Sequence, residues 1–131
     1  MKKGTFSRVT RWALGLHGAY YLITGIWAII SLESFNRFVM HEHPGGAFEM
    51  HSIAAMAVVL GIAFIYAAHD IGKNIPLVAV AFGIALAIIL PELYYLPRME
   101  GFNLFWFDLV EEIVVAIIFG AFVWTRRERI F

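Results

Sequence analysis

The stretch FWFDLVEEIVVAIIFG, residues 105–120, sets Asp108, Glu111 and Glu112 within five positions of an otherwise apolar run. On a helix these acids are related by i+3 and i+4, so all three lie on one side, with Glu111 and Glu112 splayed by about 100°. Upstream, Glu92 and Tyr95 stand in the i, i+3 relation within PELYY. Nearer the N-terminus, His17, Tyr21, Thr24, Ala28 and Ser31 recur at a 4-3-4-3 spacing, a polar seam along a segment otherwise rich in Leu, Ile and Trp. Carboxylates clustered in a poorly solvated place must share protons, pair with a cation or open onto water. The candidate ligand-binding or proton-relay set is therefore Glu92, Tyr95, Asp108, Glu112, Glu111, Tyr21 and His17. For Tyr21, Thr24 and Ser31 the default expectation is no more than interhelical hydrogen bonding.

A second group lies in HEHPGGAFEMH, residues 41–51, where His41, His43, Glu49 and His51 combine imidazole with carboxylate. Those donor types suit a divalent metal, but the spacing matches no standard ligand pattern. His17 and His69 come only marginally within matching depth for a b-type haem, so the sequence names no cofactor. There is no glycine-rich phosphate loop and no serine with an evident base. The chain has no cysteine, which removes disulfides, thiol nucleophiles and thiolate metal sites.

The elements that carry these residues follow from hydropathy. At 131 residues with 61% hydrophobic and 15% charged residues and a mean hydropathy of +0.76, the chain is too apolar for a soluble domain, and the bilayer is its expected solvent. Four apolar spans, at about 9–32, 48–69, 76–97 and 104–125, each approach the roughly 20 residues that cross a hydrocarbon core as a helix. Strands are excluded because open edges leave backbone groups unpaired in lipid, and the spans lack barrel-type alternation. Breakers fall between the spans at HPGG, DIGKNIP and LPRMEGFN, and Pro91 is expected to kink the third span near its end. The expected fold is all-α, an integral membrane four-helix bundle forming a single transmembrane domain over 1–131. Ala57 with Gly61, and Ala79, Gly83 and Ala87, are small-residue patterns that let helices approach closely.

Charge sets the expected orientation. Lys2, Lys3, Arg8, Arg11, Lys73, Arg126, Arg127 and Arg129 fall on one side of the spans and only Arg37 and Arg98 on the other. The positive-inside rule then puts both termini in the cytoplasm of a multi-pass protein of the bacterial inner membrane. The acids show the reverse bias, with Asp70 and Glu128 alone on the cytoplasmic side. Dispersed basic residues give no stripe to track a phosphate backbone, so nucleic acid is excluded as a partner. By depth, Asp108 lies about one turn and Glu112 about two turns below the outer end of the fourth span. His17 is nearer the inner end and is not expected to touch the acids. Glu111 is expected to reach the outer interface or a neighbouring helix, and to matter less than Asp108 or Glu112.

LHGAYYLITGIWAIISLESF, residues 16–35, with ELYY and DLVEE further on, resembles small bacterial four-helix membrane proteins of the DoxX-like kind. The likeness covers spans one, three and four. Glu92 stands where such proteins usually carry Asp, and Glu111 is an acid where they are apolar. The loop from His41 to His51 has no counterpart in them. The resemblance implies a compact bundle pairing spans three and four through Glu92, Tyr95, Asp108 and Glu112, with a link to quinone- or thiosulfate-related membrane oxidoreduction.

The functional expectation is a binding protein rather than an enzyme. An outward-facing pocket, acidic and walled by Phe102, Phe105, Trp106, Phe107, Tyr94 and Tyr95, would take a small amphipathic ligand such as a quinone or lipid, or dock the chain as an accessory subunit. The alternatives are a proton- or cation-coupled carrier and the quinone-facing subunit of a membrane oxidoreductase. The expected partners are the lipid bilayer, a quinone or lipid, and a second copy of the chain or a larger membrane complex.

Overall fold

The computed structural model describes residues 3–39, 46–98 and 105–126. His41, His43 and Phe102 lie outside the described residues. The described chain is all-helical: α1 (Lys3–Ile30), α2 (Leu32–Val39), α3 (Gly46–His69), α4 (Ile75–Tyr95) running into a 3₁₀ turn (Leu96–Arg98), and α5 (Phe105–Arg126). The expectation of four helices is thus corrected to five. Four are long, and the extra one arises because the first span does not end in a loop at residue 32.

Ser31 is the pivot. In a straight helix Trp27 and Phe38 would stand about 16 Å apart along the axis. Their rings are 4.9 Å apart, so the chain turns at Ser31 and α2 folds its aromatic side back onto Trp27. Phe35 meets the same indole edge to face, and the indole N–H donates to Ser34 Oγ at 3.2 Å. Glu33 in the first turn and Arg37 in the last suit the helix dipole and pair with each other at 2.6 Å.

α1 lies along α3, and α4 along α5, with α1 also meeting α5 and α3 meeting α4. The α1–α3 seam is a backbone-to-backbone contact. A Cβ on Gly61 would fall 2.7 Å from the Gly18 carbonyl oxygen, and one on Gly25 would fall 2.7 Å from that of Ala54, so only hydrogen fits at these crossings. Gly61 belongs to a small-residue pattern visible in the sequence. Gly83, from the other pattern, has open space beside it. The turn between α3 and α4 is closed by Asp70, whose carbonyl accepts from the backbone N–H groups of Lys73 and Asn74. Pro76 follows in the first turn of α4, where its missing N–H costs nothing. Hydrogen-bonded helix continues past Pro91 as far as Tyr95.

The packing is inverted relative to a water-soluble domain. Phe64, Phe119, Phe122, Leu14 and Val78 fill the centre, but His17 and Glu112 are as deeply buried as they are. Meanwhile Ile23, Ile30, Val59, Leu90, Val110 and Ile117 are exposed around all four long helices. α1, α3 and α4 with its 3₁₀ extension are long and apolar enough to cross a membrane. α5 has the length, but every 18-residue stretch of it carries at least three charged residues, drawn from Asp108, Glu111, Glu112 and Arg126.

Candidate functional site

The acids of α5 meet α1 over three consecutive contacts. Tyr20 donates its hydroxyl to Asp108 Oδ1 at 2.5 Å, Tyr21 donates to Glu112 Oε1 at 2.8 Å, and His17 Nδ1 lies 3.0 Å from Glu111 Oε1. From α4, the Glu92 carboxyl lies close enough to Asp108 for the two to interact electrostatically. The register follows from the antiparallel course of α1 and α5: Asp108, the most N-terminal of the acids, meets Tyr20, and His17, about one turn back along α1, meets Glu111, about one turn further along α5.

His17 therefore touches the acids directly, against the expectation from depth. That expectation aligned the outer ends of spans one and four. α1 has 28 residues against 22 in α5, and its last turns run past the start of α5 to support α2, which brings His17 level with Glu111 and Glu112. The imidazole is 1% exposed, packed on Tyr21 at 4.5 Å between ring centres, stacked on Phe64 at 5.8 Å and met edge-on by Phe119 at 5.8 Å. Glu111 reaches a neighbouring helix, as its splay allows, but its partner there is this buried ring.

Tyr95 does not join the group. It is 61% exposed and packs edge to face with Tyr94, whose carbonyl accepts from Arg98 and whose ring lies under the Arg98 guanidinium. One turn beyond Glu92, at the very end of α4, it has passed the level of the acids. The phenols that do serve the cluster are Tyr21 and Tyr20. Tyr20 was not among the sequence candidates; its signal was the YY pair, which places one phenol over each of two acids a turn apart. Phe64 and Phe119 were equally hidden, since an aromatic in an apolar run looks like any other core residue.

Not every polar atom is matched. His17 Nε2, Glu92 Oε2, Glu111 Oε2 and Glu112 Oε2 are buried without a hydrogen-bond partner. Among the described residues no lysine or arginine pairs with these acids; the cations that pair do so elsewhere, Arg37 with Glu33 and Lys73 with Asp70.

Above the cluster, at the end of the bundle where α2 lies, is a cavity of about 350 Å³ lined by Tyr20, Thr24, Trp27, Phe35, Phe38, Val39, Phe105, Phe107, Asp108 and Glu111. Phe105 and Phe107 come from the expected aromatic wall. The rest of that wall is supplied by Trp27 and α2, while Tyr94 and Tyr95 are not part of it. The loop metal candidates fare differently again: Glu49 and His51 are exposed on the first turns of α3, two positions apart and so on different faces. The group whose donor atoms do converge is His17, Glu111 and Glu112, with one atom from each lying within 4.8 Å of the others. His69 is exposed at the end of the bundle away from the cavity, beside Arg8 and Arg11, and shares none of the contacts of His17.

Comparison with protein-family models, with curated proteins and with solved structures finds no match to this chain.

Proposed function

We propose that the chain is an integral membrane protein of the bacterial inner membrane, its four long helices crossing the bilayer with both termini cytoplasmic. In this reading the aromatic cavity opens toward the outer face and binds a small amphipathic ligand of the quinone or lipid class, alone or as an accessory subunit. The observation that carries it is the cavity itself: apolar walls from Trp27, Phe35, Phe38, Phe105 and Phe107 over a floor where Tyr20, Asp108 and Glu111 can orient a polar head. Kinship with the DoxX-like proteins belongs to the same proposal. Organic extraction and native mass spectrometry of the protein purified from membranes test it. A quinone or lipid should co-purify and be lost on Asp108→Asn or Phe38→Ala; no bound molecule, and none taken up when a short-chain quinone is added, would sink it.

A second reading is favoured by the four buried polar atoms left without partners. They suit a proton- or cation-coupled carrier, with Glu92, Asp108 and Glu112 as the relay. Four spans are few for alternating access, so such a carrier would work as a dimer. Proton uptake by reconstituted vesicles that vanishes in Glu112→Gln separates this from simple binding.

A further inference from the structure

The cluster under the cavity has the composition of a metal site. We propose that His17, Glu111 and Glu112 bind one divalent transition-metal ion in the core of the bundle, at the floor of the aromatic cavity. One donor atom from each residue already lies within 4.8 Å of the others. His17 and Glu112 are 1% and 0% exposed, and each keeps a buried polar atom with no partner, as does Glu111. A cluster built only to hold helices together would saturate those atoms, because a buried donor or acceptor left unmet forfeits its hydration with nothing in return. A cation uses them.

Charge points the same way. Glu111 and Glu112, with Asp108 and Glu92 beside them, face one imidazole and no lysine or arginine among the described residues. A divalent ion would neutralise the two glutamates it binds. The donor set selects the metal class: imidazole with carboxylates suits manganese, iron, cobalt or zinc, whereas calcium and magnesium prefer oxygen alone. The surroundings complete the design. Tyr21 donates to Glu112 and fixes its carboxylate, Phe64 and Phe119 hold the imidazole plane, and Glu111, 37% exposed at its side chain and lining the cavity, provides the way in.

The inference does not rest on the amphipathic-ligand reading, since metal content and extracted organic ligand are measured separately. The test uses the full chain in detergent micelles, stripped with a chelator and titrated in turn with Mn²⁺, Co²⁺ and Zn²⁺. Bound metal is counted by mass spectrometry after desalting, and pulsed electron paramagnetic resonance is recorded on the Mn²⁺ form. One ion per chain is expected, with coupling to a histidine nitrogen. His17→Gln and Glu112→Gln should each weaken binding roughly 100-fold or more and Tyr21→Phe roughly tenfold, with Glu49→Gln unchanged. The proposal is overturned if no stoichiometric ion binds, if the bound ion shows no nitrogen coupling, or if His17→Gln and Glu112→Gln bind as tightly as the unmodified chain. The resonance measurement needs no variant, so a substitution that fails to fold cannot hide the answer.

Discussion

Two tyrosines that look alike in the sequence should answer differently to the loss of one oxygen. Tyr21 is buried and its hydroxyl holds Glu112 Oε1, whose sister oxygen already lacks a partner. Tyr21→Phe strips the carboxylate of its remaining bond, at a cost of about 1 kcal/mol by the usual strength of hydrogen bonds in membrane bundles. Tyr95 is exposed and its ring contact with Tyr94 survives the change, so Tyr95→Phe should fall within about 0.5 kcal/mol of the parent. Reversible unfolding in mixed micelles compares the pair; equal effects would mean that the Tyr21 bond contributes nothing. The same residues mark how far the site could be read beforehand. Asp108, Glu112 and Glu92 were legible because a carboxylate in an apolar span has few tolerable surroundings. The contacts of His17 and Tyr95 were not, because helical spacing fixes which side a residue faces but not how far one helix slides along another.

At the scale of the helices, the α1–α3 seam and the lone glycine of α4 make a controlled contrast. A methyl group on Gly18 would meet the Gly61 carbonyl oxygen at 2.9 Å and the backbone nitrogen of Ile65 at 3.0 Å, so Gly18→Ala forces the two helices apart, at about 1–3 kcal/mol. Gly83→Ala meets nothing within 4 Å and should be neutral or stabilising by up to about 1 kcal/mol through helix propensity. Thermal midpoints of the two variants should move in opposite directions or, at the least, only the first should fall. The α3–α4 turn carries a pH signature. Hydrogen bonding from Lys73 holds the Asp70 carboxyl below its ordinary range, helped by their ion pair at 3.2 Å. A carboxyl lowered in the folded state stabilises above its unfolded value and loses that contribution as pH falls through the folded value. Asp70→Asn should therefore lose a little stability near neutrality, a small amount as suits an exposed pair, and converge with the parent as pH falls, which flattens the acid side of the stability profile; an acid limb identical to the parent's would assign that limb to other groups. The long helices were legible from hydropathy and the Gly and Pro breakers. α2 was not, because ISLESF holds neither glycine nor proline, and its turn depends on Trp27 finding Phe35 and Phe38.

For the molecule as a whole, the open matter is which way the bundle sits, and α5 decides it. By hydropathy alone only three helices among the described residues qualify as spans, and an odd number would leave the termini on opposite sides. α5 fails on its three acids, yet Glu112 is buried, Asp108 is bonded to Tyr20 and Glu111 to His17. Carboxylates held inside the bundle do not charge the lipid-facing surface, where α5 instead shows Val110, Ile113, Val114 and Ile117. The physics thus favours a fourth crossing that single-helix hydropathy undervalues. Basic residues gather where the termini lie, at Arg8, Arg11, Lys73 and Arg126, so that end is expected in the cytoplasm. The chain contains no cysteine, which makes the experiment clean. Gly4→Cys, Glu49→Cys and Thr125→Cys, made singly, can each be challenged in intact cells with a membrane-impermeant maleimide. Glu49→Cys, at the α2 end, should label from outside, while Gly4→Cys and Thr125→Cys should label only after the membrane is opened. Labelling of Thr125→Cys in intact cells with Gly4→Cys protected would leave α5 outside the bilayer or the crossings odd in number, and the pairing of its acids with α1 would then have to form at the membrane surface.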